Sequence, residues 1–318
     1  MVDDIKRVAI IGAGTIGAGW ATLFAVKGYG VNLYSRRAET RAKSIEIIQS
    51  NLNFLAEKGM LSKDDTAKSF ERIKEITELP RAVKDADYVQ ECVAEDYDLK
   101  KSIFAQVDKS SPENAILASS SSGSKMSEIQ QSTNRPEKCI IAHPRNPPHL
   151  IPLVEIVPGE KTSNETIDAT LKLQTKLGKV AVVVRKEVPG YIGNRLAAAL
   201  WREAIDLVEK GVATVEDVDK ALYAGPGIRW AFMGQHLIYH LGGGKEGVGH
   251  FIDHLGRTTW ETMWEDMATW SYISDSMKTK LIDGVESEVG GREMDDLVRW
   301  RDDKLIKLLK VIYNEQVT

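Results

Sequence analysis

In "HPRNPPHLIPLVE", His143 to Glu155, an imidazole is followed twelve residues later by a carboxylate. A carboxylate on one ring nitrogen fixes the tautomer and leaves the other nitrogen to take a proton from an alcohol, as oxidation of a hydroxyl requires. Alone, His143 reads as a turn histidine, and His149, between Pro148 and Leu150, keeps that reading. Glu155 makes the difference, because a hairpin-like excursion stiffened by prolines would return it beside the His143 ring. Ser119 to Ser122 follow an apolar strand, and their loop is expected to offer hydroxyls to a ligand rather than to solvent alone.

A second centre of chemistry lies near the N-terminus. Gly12-Ala13-Gly14-Thr15-Ile16-Gly17 stands between an apolar strand, Arg7 to Ile11, and an apolar helix running to about Lys27, with another strand over Val31 to Ser35. In a βαβ unit, Gly12 makes the tight turn, Gly14 lets a pyrophosphate approach the backbone and Gly17 allows the helix to lie close to the strand. The helix N-terminus, with Thr15 and Ile16, then faces the phosphates of a dinucleotide. An acid at the end of the second strand would bind the ribose 2'-hydroxyl of NAD; here the position is Ser35, followed by Arg36 and Arg37. Serine can donate to a phosphate and arginine can clamp it, so these residues lean towards NADP(H).

The elements that must position these groups follow from periodicity. Ile45, Ile48, Leu52 and Leu55 have helical spacing, Gly59 is a stop and Ser62 a cap, which predicts a helical pair inserted after the second strand. Strands are expected at "ADYVQECVA", "AILASSSSG" and "KCIIAHP", alternating with helices such as "KKSIFAQVDKS". That alternation predicts a parallel sheet whose strand ends gather Glu95, Ser119 to Ser122 and His143 at one crevice. The fold class is α/β: an N-terminal Rossmann-type doubly wound sheet with the helical pair, residues 1–187, and a C-terminal all-α domain, residues 188–318.

The 318 residues, 42% hydrophobic and 28% charged, suffice for two such domains. A net charge of -4 and a pI near 6.0 give no broad basic field for nucleic acid. No apolar run reaches the ~18 residues of a membrane span, and no secretory signal is evident, so a cytoplasmic location is expected. Cys92 and Cys139 stand outside any metal-binding spacing and are expected as free thiols, with no metal.

Taken in order, "GAGTIGAG", "ECVAEDYDLKKSIF", "ASSSSG", "HPRNPPHLIPLVEIVPG" and "VPGYIGNRL" resemble the L-3-hydroxyacyl-CoA dehydrogenase family over essentially the whole chain. The resemblance implies that His143 is the general base or acid, Glu155 its orienting carboxylate and Ser122 a donor to the substrate oxygen. It implies further that Asn194 completes the site and that Glu95 and Lys100 lie near the nicotinamide and its ribose. "HPRNPP" with "IPLVEIVP", "GPGIRWAFMG" and "RWRDDKLIKLL" look like the branch holding L-gulonate 3-dehydrogenase (lambda-crystallin) and carnitine 3-dehydrogenase. The implied reaction is NAD(P)-dependent interconversion of a small free L-3-hydroxy acid and its 3-oxo acid. The alternatives are the same chemistry on a CoA thioester, or a crystallin-like structural protein. Ser35 departs from the aspartate usual in the family, so resemblance favours NAD(H) where the residues favour NADP(H). A substrate carboxylate needs a cationic partner, for which Arg145, Arg195 and Arg229 are candidates.

After "EVPG" the pattern turns helical, with Thr214 as the cap of one helix. The helix bearing Leu196, Ala197, Leu200, Trp201, Ile205 and Leu207 is apolar on more than one side, which predicts a homodimer through this domain. Trp230, Trp260, Trp264, Trp270 and Tyr272 are expected in core and dimer contacts, or, beside Glu261 or Asp266, as a wall for a trimethylammonium group. "LGGGKEGVGHFIDHLG" is expected as a movable cover.

Overall fold

The computed structural model describes residues 5–313. β1 (Arg7–Ile11), α1 (Thr15–Val26) and β2 (Gly30–Tyr34) form the expected βαβ unit. The inserted pair follows as α2 (Ala38–Glu57) and α3 (Lys63–Glu71), and the Ser62 hydroxyl caps α3 by accepting from the Asp65 amide at 3.0 Å. Next come β3 (Ile73–Ile76), α4 (Leu79–Val83), β4 (Tyr88–Glu91), α5 (Tyr97–Ser110), β5 (Ile116–Ser119) and α6 (Met126–Ile129). β6 (Cys139–Pro144), β7 (Leu153–Pro158), α7 (Asn164–Lys176) and β8 (Val180–Val183) complete the sheet.

The eight strands lie in the order β3-β2-β1-β4-β5-β6-β7-β8. All neighbours are parallel except β6 and β7, which run antiparallel. The strands expected to be parallel are so, and the antiparallel pair is the hairpin-like return expected between His143 and Glu155: residues 145–152 turn the chain back without a crossover helix. The order reverses between β1 and β4, and the crevice at their carboxyl ends is where such sheets take ligands. Both faces are covered. Val8, Ile10, Val31 and Leu33 join α1 and α2 in one cluster, whereas Ala9, Ile11, Val89 and Leu117 join α5 in the other, as the period of two requires.

The chain divides into two compact units, Met1–Arg195 with the segment from Asp302 onward, and Leu196–Arg301. The C-terminal segment, expected in the helical domain, belongs to the sheet unit because Ile306 packs with Leu55, Met60 and Leu150 and Lys58 pairs with Asp303 at 2.8 Å. α8 (Gly193–Glu209), α9 (Val215–Ala224), α10 (Pro226–Trp230), α11 (Gln235–Gly242), α12 (Gly247–Phe251), α13 (Glu261–Asp266), α14 (Asp275–Val289) and α15 (Met294–Ile312) account for the remaining regular structure, with a π-helical stretch over Ile252–Trp260. Thr214 caps α9 as expected.

The glycine-rich segment expected as a cover is mostly helical. Its glycines permit close contact instead: a Cβ on Gly242 would come within 3.1 Å of the Phe251 ring, and one on Gly247 within 2.5 Å of His240. Tyr239 stacks on Phe251 with centroids 4.6 Å apart and meets Trp260 edge-on at 5.1 Å, so these aromatics pack on one another within the second unit. No helix among the described residues is long and apolar enough to cross a membrane.

Candidate active site

β6 and β7 place His143 directly opposite Glu155 in register. The His143 Nδ1 lies 2.9 Å from Glu155 Oε2, and both side chains are buried. Glu155 Oε1 accepts from the amides of Ile192 and Gly193 at 2.8 and 2.9 Å. Burial alone would push the Glu155 carboxyl up, but the hydrogen bonds from His143, Gly193 and Ile192 outweigh it and hold the group below its ordinary range. An ionised carboxylate only accepts, so Nδ1 carries the proton and Nε2 is the nitrogen left for a substrate.

Tyr191 fixes the ring from the side, edge-on with centroids 5.4 Å apart. Its backbone takes a positive φ of 51°, and its buried hydroxyl donates to the Ser124 carbonyl at 2.7 Å. That conformation is costly for a bulky residue and is maintained here by burial against the histidine. The excursion itself is clamped from two sides. A Cβ on Gly19 of α1 would lie 2.6 Å from Pro148 Cδ. Buried Lys179 donates to the carbonyls of Pro148 and Ile151 while its ammonium sits 5.4 Å above the Trp20 ring centroid. Burial pushes the Lys179 amine down to about 7.

The serine run divides by role. The Ser119 hydroxyl donates to Glu91 at 2.6 Å, Ser120 accepts from Trp20 Nε1 at 3.1 Å and from Gln90 Nε2 at 2.8 Å, and Ser121 donates to Glu95. Among the described residues only Ser122 of the four keeps its hydroxyl without a protein partner. Glu95 also accepts from the Ser124 amide at 3.0 Å and its hydroxyl at 2.8 Å. Partial burial opposes ionisation of Glu95, but the Ser121 bond, the Lys100 charge and the Ser124 bonds bring it down to about 2. Lys100 does not line the cleft: it is 1% exposed, bound to Glu91 at 3.0 Å, and reaches Glu95 at 3.5 Å from behind.

Ile16, Cys92, Glu95, Ser122, His143, Arg145 and Asn194 line one cleft of about 440 Å³. Arg145 donates through Nη1 to Asn194 Oδ1, and Asn194 Nδ2 faces the Ser122 carbonyl at 3.3 Å. A guanidinium has no acceptor, so this contact orients the Asn194 amide and turns its NH2 away from Arg145. The cleft adjoins the glycine turn. Gly12 has a φ of 110°, and a Cβ there would meet the Cys92 carbonyl carbon and oxygen at 2.6 Å; one on Gly17 would strike the Gly12 oxygen at 1.9 Å. At Gly14 a Cβ would meet nothing within 4 Å, and α1 starts there without a side-chain cap. The start of α1 thus has no side-chain cap and lies beside the open space at Gly14, an arrangement that a pyrophosphate at a helix N-terminus fits. Ser35 follows β2 with its carbonyl bonded by Arg41, and Arg36 and Arg37 are exposed.

Residues 7–188 match the family described as 3-hydroxyacyl-CoA dehydrogenase, NAD binding domain, and residues 190–283 its C-terminal domain. The chain belongs to the 3-hydroxyacyl-CoA dehydrogenase family. It is an NAD-dependent dehydrogenase acting on a CH–OH group. It is similar to L-carnitine dehydrogenase of Nocardiopsis dassonvillei, 35% identical over 98% of this chain and 92% of the relative, and to that of Bacillus cereus, 36% identical over 98% and 93%. Among solved structures, 5-formyl-3-hydroxy-2-methylpyridine 4-carboxylic acid 5-dehydrogenase, an NAD+ dependent dismutase, superposes with a TM-score of 0.82 at 25% identity, covering 97% of this chain and 99% of that one. (S)-3-hydroxybutyryl-CoA dehydrogenase of Ralstonia eutropha superposes with a TM-score of 0.67 at 27% identity, covering 90% and 95%.

Glu91, Tyr191 and Lys179 went unassigned in the sequence. Glu91 is the last residue of β4 and Lys100 lies in the first turn of the next helix, a spacing that could have signalled the pair; nothing local marks Tyr191 or Lys179.

Proposed function

We propose that the enzyme oxidises a small free L-3-hydroxy acid, or reduces the 3-oxo acid, with His143 and Glu155 as its acid–base pair. The observation that carries this reading is the 2.9 Å contact between His143 Nδ1 and Glu155, in a cleft shared with Ser122 and Asn194. When bound, the nicotinamide supplies the two-electron acceptor for hydride. His143 Nε2 takes the 3-hydroxyl proton, Glu155 holds the resulting imidazolium, and the Ser122 hydroxyl and Asn194 amide donate to the substrate oxygen. Gly12, Gly14, Thr15, Ile16 and Gly17 hold the dinucleotide, with Glu95 at the cleft wall and Lys100 securing Glu95. The L-carnitine dehydrogenases support a carnitine-like acid, with a gulonate-like acid as the other candidate. Ser35 and exposed Arg36 and Arg37 favour some acceptance of NADP(H) beside NAD(H).

The test pairs substrates with cofactors. Wild-type protein should oxidise L-carnitine or L-gulonate in preference to 3-hydroxybutyryl-CoA, and His143→Gln should lower turnover by about 10²- to 10⁴-fold while NADH affinity, read by fluorescence, stays nearly unchanged. Turnover of the thioester alone would move the substrate to the acyl-CoA class, and an active His143→Gln would remove the mechanism. In the same titration, NADPH binding that weakens when Arg36 and Arg37 become alanine supports the dual cofactor and their part in it; absence of NADPH binding refutes it.

A further inference from the structure

Arg145 lies two residues past His143, lines the same cleft, and carries five N–H donors. One of its nitrogens donates to Asn194 Oδ1. Among the described residues no carboxylate lies within ion-pair distance of it. The nearby acids are committed elsewhere: Glu155 to His143 and two backbone amides, Glu95 to the serine loop and Lys100. The half-buried guanidinium is also built into place. A Cβ on Gly193 would lie 2.5 Å from Arg145 Nη2 and 3.2 Å from both Cζ and Nε, so this glycine leaves room for the guanidinium to lie across the start of α8. Held by Asn194 and Gly193, it loses little further freedom on binding a ligand.

We propose that Arg145 is the carboxylate-binding residue of the substrate site and selects acids with a free carboxylate over those whose carboxyl is esterified. The inference rests on the proposed reading of the substrate as a free hydroxy acid and deepens it by naming the group that recognises the acid. A planar guanidinium beside the proton-accepting histidine matches a substrate whose carboxylate is a short, fixed distance from the carbinol carbon. Within the same unit, Arg195 is exposed and does not line the cleft. Because Arg145 also orients Asn194, the charge that binds the substrate sets the donor that holds its reacting oxygen.

The experiment compares wild type, Arg145→Met and Arg145→Lys on L-carnitine, (S)-3-hydroxybutanoate and the methyl esters of both, with (S)-3-hydroxybutyryl-CoA as reference. NADH affinity is measured in parallel by fluorescence. Loss of a charged hydrogen-bond partner predicts that Arg145→Met raises KM for the oxidised acid about ten- to a hundredfold more than for its ester, while the freed Asn194 amide lowers kcat on both alike, with Arg145→Lys intermediate. Equal losses on acid and ester would mean that Arg145 serves only to place Asn194, and an unchanged KM for the acid would mean that it does not meet the carboxylate; either overturns the assignment. Wild-type oxidation of the thioester with no acid accepted would instead overturn the free-acid reading itself, and the assignment with it.

Discussion

Glu91 and Lys100 are each 1% exposed and 3.0 Å apart, a pair taken almost wholly out of water. Burial pushes the Glu91 carboxyl up, against the Lys100 charge and the bonds from Ser119, Lys100 and Val93. Such a pair contributes little against an apolar replacement, but removing one partner strands the other. Lys100→Met should therefore cost about 3–5 kcal/mol in chemical denaturation, and Glu91→Gln in the same chain should recover most of it. Unchanged stability in the single variant would show that Glu91 is already neutral. Glu95 belongs to the same argument, because Lys100 approaches it from behind while Ser121 and Ser124 donate to it. Glu95 lines the cleft and Lys100 holds it there, while the Ser122 hydroxyl alone of the serine run keeps no protein partner among the described residues.

At the level of elements, the glycine turn separates residues that build the fold from one that leaves room for a ligand. A Cβ on Gly17 would collide with the Gly12 oxygen, whereas Gly14 has open space around it. Gly17→Ala should destabilise the protein by about 1–3 kcal/mol. Gly14→Ala should melt like wild type yet weaken NADH binding by about tenfold, ~1.4 kcal/mol. A Gly14→Ala protein that binds NADH normally would place the phosphates elsewhere. This much was legible because the glycines, the strand before them and the helix after them are contiguous; the helical pair and the His143–Glu155 pairing were legible for the same reason, periodicity and a twelve-residue return. β3, with two exposed charged residues between two partly buried isoleucines, gives too little pattern to separate from a loop. The clamp of Lys179 on Pro148 and Ile151 joins segments about thirty residues apart, and no local period reports such a contact.

For the whole molecule, the second unit raises the question of what covers it. In Leu196–Arg301 the buried apolar side chains are Ile205, Val215, Ile238 and Ala268, while Leu196 is 68% exposed and Trp201 57%. A helical unit gains its stability from buried apolar area, and so few buried side chains leave it short. α8 illustrates this: Ile205 and Asp206 are covered, Asp206 accepting from Trp270 Nε1 at 3.0 Å, whereas Leu196, Leu200 and Trp201 are not. Exposed apolar side chains of this kind suit an interface, and the partner we propose is a second copy of the chain, as closed symmetry would provide. Light scattering should accordingly give twice the chain mass of 35.3 kDa. Leu196→Glu with Trp201→Glu should shift the protein towards the monomer and make its melting temperature fall on dilution, since folding of this unit and association would be linked. A wild-type monomer with a concentration-independent melt would mean that the second unit is stable as it stands, and that its exposed aromatics serve something other than self-association.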